Sequence, residues 1–341
     1  MFKLLDGIAR QSPQQARGCA AAKIYYSRVS MPEGEGLMRV LVLGAGGIGG
    51  YFGGRLAAAG LDVSFLVRPA RAEALAQQGL VIGSALGDLR LPVTTLLEAD
   101  APFDAILLAC KAYDLEGAMD AVSPAVGPST LVLPLLNGIR HLTILDARFR
   151  RDQVLGGLCH IGVAMNSEGE IRHMNTLQRL VLGARTPEQR ERTARLHALM
   201  RCGGFAPVLS EAILQDMWEK FVFLAAYAGL TTLMRAPVGN ILAAEEGESI
   251  SCEMLQECIE TATASGHAPR ETAVAEMRSV LTDRDSEGTA SMFRDMMGNR
   301  STEHEHILGD MVARARAAGI ATPLLRISLA NMQAYEARRL T

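Results

Sequence analysis

The feature that most narrows what this chain can fold into is a run of glycines, Gly44-Ala45-Gly46-Gly47-Ile48-Gly49, set directly after the short apolar segment Arg39 to Leu43 and before a helical pattern from Gly50 to Ala59. The spacing is G-x-G-x-x-G. Between a strand and a helix, the first glycine permits a tight turn, the second lets a phosphate approach the backbone, and the third lets the helix pack closely on the strand. The start of the helix then offers unpaired N–H groups to an anion. An isolated glycine pattern describes many flexible loops, but here Gly60 and a second apolar run, Val63 to Val67, complete the unit. The reading is a dinucleotide-binding loop built from Gly44, Ala45, Gly46, Gly47, Ile48 and Gly49.

The same alternation continues downstream. Ala105 to Ala109 and Leu131 to Leu135 are further short apolar runs bounded by turn residues, as in a parallel sheet with crossover helices. Segments around Val154 to Ala164, Glu170 to His173 and Arg179 to Leu182 read as additional strands, some antiparallel, with Asn166-Ser167-Glu168-Gly169 as a turn. These are expected to extend the parallel sheet into a mixed one. Beyond Ser210 the strand signal ends, and Ala, Leu, Met, Glu and Arg dominate a helical pattern broken at Pro237-Val238-Gly239, at Gly266 to Pro269 and at Gly319 to Pro323. The expected fold is therefore an α/β N-terminal Rossmann domain, mostly parallel with added antiparallel strands, over residues 38–208, followed by an all-α domain over residues 209–341. Residues 1–37 show no sustained periodicity and read as a disordered extension, with Met31 or Met38 as a more natural beginning.

Composition limits the partners. With 34 Lys and Arg against 37 Asp and Glu, the chain has no broad positive field for nucleic acid or an anionic membrane. Its longest charge-free apolar stretch, Phe221 to Met234, is shorter than the ~20 residues a membrane-spanning helix needs. The six cysteines include no C-x-x-C pair and read as reduced thiols of a cytoplasmic protein. His304-Glu305-His306 puts two histidines two positions apart, on nearly opposite sides of a helix, so no metal site is expected there.

Cofactor choice turns on the end of the second strand, where an acidic residue would hold the ribose hydroxyls of NAD. Asp62 precedes that strand and so lies at its wrong end. The right end carries Arg68, with Arg71 one turn on, and a guanidinium there suits a 2′-phosphate. NADP(H) is the expected cofactor; two solvated surface arginines are the alternative.

These features and their continuation resemble the ketopantoate reductases (2-dehydropantoate 2-reductases), over Arg39 to about Glu336. The resemblance implies NADPH-dependent reduction of a 2-keto acid to a 2-hydroxy acid, with 2-dehydropantoate going to pantoate in the namesake reaction. It implies cofactor contacts at Arg68, Lys111, Asn137 of Asn137-Gly138, and Glu303, which would bind the nicotinamide side or orient the catalytic lysine. Trp218-Glu219-Lys220 matches the family's helix, making Lys220 the general acid and a substrate contact. Lys220 is also the only charge between Glu219 and Arg235, and a desolvated ammonium gives up its proton more readily. Ser291 would hold the substrate carboxylate, and Glu257 matches a further acidic residue of the cleft. A small-molecule 2-keto acid is the expected partner, with a homodimer allowed.

The pattern breaks at the substrate. The family carries asparagines four, eight and eighteen residues after its lysine, where this chain has Leu224, Ala228 and Val238. Leu224 and Ala228 would then line the substrate site without its polar contacts, which carry large discrimination. This leaves open a paralogous NADP-dependent reductase or dehydrogenase for a more apolar keto substrate. A non-enzymatic NADP(H)-sensing module is a further alternative, against which the retained Lys220 argues.

Overall fold

The computed structural model describes residues 38–340, so the expected extension at residues 1–37, with Cys19, lies outside the described residues. In chain order the α/β part runs β1 (Val40–Leu43), α1 (Gly47–Ala58), β2 (Val63–Leu66), α2 (Pro69–Gln78), β3 (Leu80–Ser84), β4 (Leu89–Leu91), β5 (Thr94–Leu96) and β6 (Phe103–Leu108). It continues through α3 (Leu115–Val122), β7 (Val126–Pro134), α4 (Arg140–Arg148), β8 (Gly156–Met165), β9 (Ile171–Gly183), α5 (Arg190–Met200) and β10 (Ala206–Leu209). The helical part holds α6 (Ile213–Met234), α7 (Val238–Leu242), α8 (Gly247–Ala264), α9 (Glu271–Leu281), α10 (Ser291–Met297), α11 (Asp310–Ala317) and α12 (Pro323–Arg339). The chain divides into two compact units after Leu214, except that the short segment Asn137–Arg140 groups with the helices.

In the α/β unit, one sheet has the order β5-β2-β1-β6-β7 with every pair parallel. The chain leaves β1 for β2 on one side and later returns to β6 on the other. The order therefore reverses between β1 and β6, which is where an open α/β sheet places a ligand, outside the carboxyl ends of its strands. The glycine loop follows β1, Arg68 follows β2 and Lys111 follows β6, all at that edge.

The remaining strands correct the expectation of one extended mixed sheet. They form a second sheet, ordered β10-β9-β3-β4 with β8 paired to β9. The two runs read as separate strands, Glu170 to His173 and Arg179 to Leu182, are the ends of the single strand β9, antiparallel to β8 and parallel to β3 and β10. The turn before β9 is as expected, because the Asn166 side-chain oxygen accepts the N–H groups of Glu168 and Glu170 at 3.0 and 2.8 Å.

Helix α1 explains why there are two sheets. Its glycines repeat four apart on two faces. A Cβ at Gly53 would press within 2.8–2.9 Å of Phe65 and Val42 of the parallel sheet, whereas one at Gly50 or Gly54 would strike Ile171 or Leu80 of the second. A helix bare on both sides packs against a sheet on each, and Tyr51, Phe52 and Leu56, all fully buried, fill the rest of that core.

In the helical unit, α6 is apolar beyond Lys220, with Phe221, Val222, Ala225, Ala226 and Leu230 fully buried, as befits a central helix. Among the described residues no helix is long and apolar enough to cross a membrane.

Closure of the glycine loop depends on Gly49, where a Cβ would collide with the Gly44 carbonyl oxygen and press to 3.1 Å on Val42 and Ala109. Gly49→Ala is expected to destabilise the protein by at least about 1–3 kcal/mol, measurable by urea unfolding. Wild-type stability in that variant would show that α1 can move off the strand.

Candidate active site

The first cluster is the loop at the edge of the parallel sheet. Gly44 takes φ +89, the left-handed conformation that turns the chain sharply out of β1. Above Gly46, the N-cap of α1, a Cβ would meet nothing within 4 Å, so the backbone there faces open space, as the approach of a phosphate requires. The two arginines after β2 have different fates. Arg71 donates from Nε and Nη2 to the Ala45 carbonyl at 3.2 and 2.9 Å, bracing the loop from behind. Arg68 caps α2 with a side chain 83% exposed, tied only loosely to Asp114 at 3.4 Å. An exposed pair of that length contributes little, so the Arg68 guanidinium is available to an anion. Lys111 is half-buried at the start of the turn after β6.

The second cluster is built on α6, where Trp218, Glu219 and Lys220 point in three directions about 100° apart around the helix. Trp218 is stacked on His267 with ring centroids 4.9 Å apart, and the Arg314 guanidinium sits 5.1 Å from its ring centre. Glu219, 1% exposed, accepts from the Arg270 backbone N–H at 2.9 Å, from Arg270 Nε at 2.7 Å and from Gln215 at 3.1 Å. With both neighbours clamped, Lys220 is fixed on the remaining side. It is buried, and its Nζ donates to Asn137 Oδ1 at 3.1 Å. The residue expected among the cofactor contacts, Asn137, is thus brought onto the residue expected to be the acid.

Around this pair lie Glu303 and His306, both buried, with His306 donating a ring N–H to the main-chain carbonyl of Asn137. His304 turns elsewhere, bonding Thr302 Oγ1 at 3.0 Å. Among the described residues no group of three or more His, Cys, Asp or Glu could hold a metal ion. Ser291 begins α10 and is exposed. Along α6 beyond Lys220, Leu224 is half-buried and Ala228 is 3% exposed, while Val238 at the start of α7 is fully buried. Glu257 acquires a definite role: its two oxygens accept the N–H groups of Leu324 and Leu325 at 2.9 Å each, capping α12. Burial pushes its carboxyl up, against the pull of those two N–H groups. Sequence reading passed over Arg270 and assigned His306 no role, because nothing local connects Arg270 to Glu219 or His306 to Asn137.

Two family models describe the whole of this arrangement, "Ketopantoate reductase PanE/ApbA" over residues 40–187 and "Ketopantoate reductase PanE/ApbA C terminal" over residues 212–336. The chain belongs to the ketopantoate reductase family. It is an oxidoreductase of the class acting on CH–OH and C=O groups. An uncharacterized oxidoreductase of Bacillus subtilis, YkpB, is 38% identical over 304 residues, 89% of this chain and all of that one. The crystal structure of 2-dehydropantoate 2-reductase from Methylococcus capsulatus superposes with a TM-score of 0.79 at 30% identity, over 89% of this chain and 98% of the other. A ternary structure of D-mandelate dehydrogenase with NADH and anilino(oxo)acetate shares the fold, with a TM-score of 0.80 at 19% identity over 89% and 100%. In this member of the family, Lys220 is buried and bonded to Asn137, while positions 224, 228 and 238 are apolar.

The Glu219 clamp has a measurable signature. Burial pushes its carboxyl up, but the hydrogen bonds from Arg270 and Gln215 outweigh it and hold the group below the ordinary range. A depressed folded-state pKa contributes stability above the unfolded value, about 4.3, that is lost as pH falls through the folded value. The Tm gap between wild type and Glu219→Gln is therefore expected to be widest near neutrality and to shrink below about pH 4. A gap independent of pH would show that the charge contributes nothing to the clamp.

Proposed function

We propose that this protein reduces a 2-keto acid to a 2-hydroxy acid with NADPH, and that Lys220 is its general acid. The observation that carries the reading is the buried Lys220 ammonium held on Asn137 at the position of the family's catalytic lysine. A bound nicotinamide would supply the hydride to the carbonyl carbon. Lys220 then gives its proton to the oxygen on which negative charge develops, and solvent restores it. Ser291 would take the substrate carboxylate; Glu303 would bind the nicotinamide side or keep Lys220 oriented.

Cofactor preference rests on Arg68, the exposed guanidinium after β2, because Arg71 is occupied by Ala45. The mandelate dehydrogenase with NADH has the same fold, so the fold alone does not choose between the two cofactors. Gly44 to Gly49 would receive the pyrophosphate, with Lys111 and Asn137 as further contacts.

The substrate reading is a keto acid more apolar than ketopantoate. Leu224, Ala228 and Val238 replace asparagines, and the burial of Ala228 and Val238 leaves neither position a polar group for a substrate hydroxyl. Burying an unpaired hydroxyl there costs free energy, whereas an analogue lacking it loses nothing.

Arg68→Ala is expected to weaken NADPH binding by about tenfold or more, the equivalent of one charge-assisted bond of roughly 1.5–3 kcal/mol, and to leave NADH binding nearly unchanged. Fluorescence titration with both nucleotides checks this; equal losses would refute the 2′-phosphate role. Lys220→Ala is expected to bind NADPH normally and to lose kcat by on the order of 10²–10⁴, assayed with ketopantoate and with its dehydroxy analogue. The wild type should turn over the analogue with equal or higher kcat/KM. Retained turnover in the variant would remove Lys220 from the chemistry.

A further inference from the structure

The reading above leaves unexplained why a histidine is buried directly behind the partner of Lys220. His306 is 7% exposed and lies in a π-helical turn, Glu305–Gly309, at the head of α11. The N–H groups of both His306 and Ile307 converge on the Glu303 carbonyl, at 3.1 and 3.0 Å. The π-helical turn that follows is wider than an α-helical one, and such turns recur at functional sites. Here it presents the His306 ring to the Asn137-Gly138 turn. Gly138 takes φ +76, and a Cβ on it would lie 3.1 Å from His306 Cδ2 and 3.2 Å from the His306 carbonyl oxygen, so the turn and the ring are in close contact. The ring N–H donates to the carbonyl of Asn137, and the side chain of the same Asn137 accepts from Lys220 at 3.1 Å.

We propose that His306 is a positioning residue: by holding the main chain of Asn137 against the head of α11, it sets where the Asn137 side chain meets the Lys220 ammonium. The inference rests on Lys220 being the acid. Segment Asn137–Arg140 follows a strand of the α/β unit yet groups with the helices, and the contact with His306 is one that joins it to them. The groups acting on His306 are Glu303 and Asp310, which favour its charged form, and Arg140, which opposes it; burial outweighs them and pushes its pKa down. The ring is therefore neutral near pH 7, with one N–H to donate, and Asn137 takes it. A neutral donor fixes the turn without adding a second charge beside the ammonium.

The test separates ring volume from the hydrogen bond. His306→Phe fills the space without a donor, while His306→Gln places an amide N–H near the original Nε2, the ring nitrogen that faces the Asn137-Gly138 turn. The Phe variant is expected to lose kcat by about 10–100-fold, the consequence of an acid displaced by a fraction of an ångström, with NADPH affinity and substrate KM within about twofold of wild type. The Gln variant is expected to recover most of the lost kcat. Wild-type kcat in His306→Phe, or equal losses in the Phe and Gln variants, would overturn the proposal. Should the Phe variant fail to fold, His306→Asn replaces it, since its shorter amide cannot reach the Asn137 carbonyl; equal kcat for Asn and Gln would then be the overturning result. Turnover retained in Lys220→Ala would instead overturn the reading on which the inference rests, so the two failures are distinguishable.

Discussion

An ammonium buried in an apolar helix has to be partnered, and the helical unit is organised by how that requirement is met. Lys220 sits on a helix whose neighbouring residues are Phe, Val, Leu and Ala, where an isolated charge would be prohibitively costly. The side-chain oxygen of Asn137, 83 positions earlier in the sequence, supplies a partner. Because a single hydrogen bond defines a distance but little orientation, the residues before Lys220 matter as much as its acceptor. Trp218 is fixed by stacking and Glu219 by Arg270, so α6 cannot rotate about its axis without breaking one of them. The lysine is held by its neighbours as well as by its own bond.

The α/β unit solves a different problem with the opposite material. Its loop presents bare backbone, so what counts there is the absence of side chains. Gly46 leaves space for an incoming group, and Gly49 lets α1 approach β1 closely enough to aim its first N–H groups at that space. The same economy of volume recurs at Gly50, Gly53 and Gly54, where it serves packing alone and allows a second sheet on the far side of α1. Arg71, one turn after the residue proposed to choose the cofactor, is spent on bracing the loop, a division of labour between two arginines that look equivalent in sequence.

Local signals carried the strand–loop–helix unit, the turn at Asn166 and the helix breaks at Gly266 to Pro269 and Gly319 to Pro323, since each depends on residues adjacent in the chain; of the break expected over Pro237 to Gly239, Val238 and Gly239 instead open α7, with Pro237 as its N-cap. Strand β9 reads as two pieces in the sequence because its middle, Met174 to Gln178, is polar enough to look like a connection; β8 pairs with it on both sides, Gly156–Ile161 against Gln178–Gly183 and Val163–Met165 against Ile171–His173, and the register shifts across that polar middle. Glu257 matched a cleft residue by resemblance, and only its contacts with Leu324 and Leu325 reveal it as the cap of α12. His306 was visible as one of two histidines, but the π-helical turn that directs it to Asn137 leaves no mark in the spacing.

By itself, the sequence determined what depends on residue type and short spacing: a glycine loop between strand and helix, an arginine in place of an acidic residue after β2, a lone lysine in an apolar helix, and apolar residues where the family has asparagines. Tertiary structure alone decided which of these groups meet. Arg71 went to the loop and Arg68 stayed exposed, paired only loosely with Asp114; Asn137 went to Lys220, and His306 to the main chain of Asn137. The physical reason is that a buried polar group must find a partner wherever the fold brings one within reach of a hydrogen bond, and that partner is chosen by distances in space that spacing along the chain does not encode.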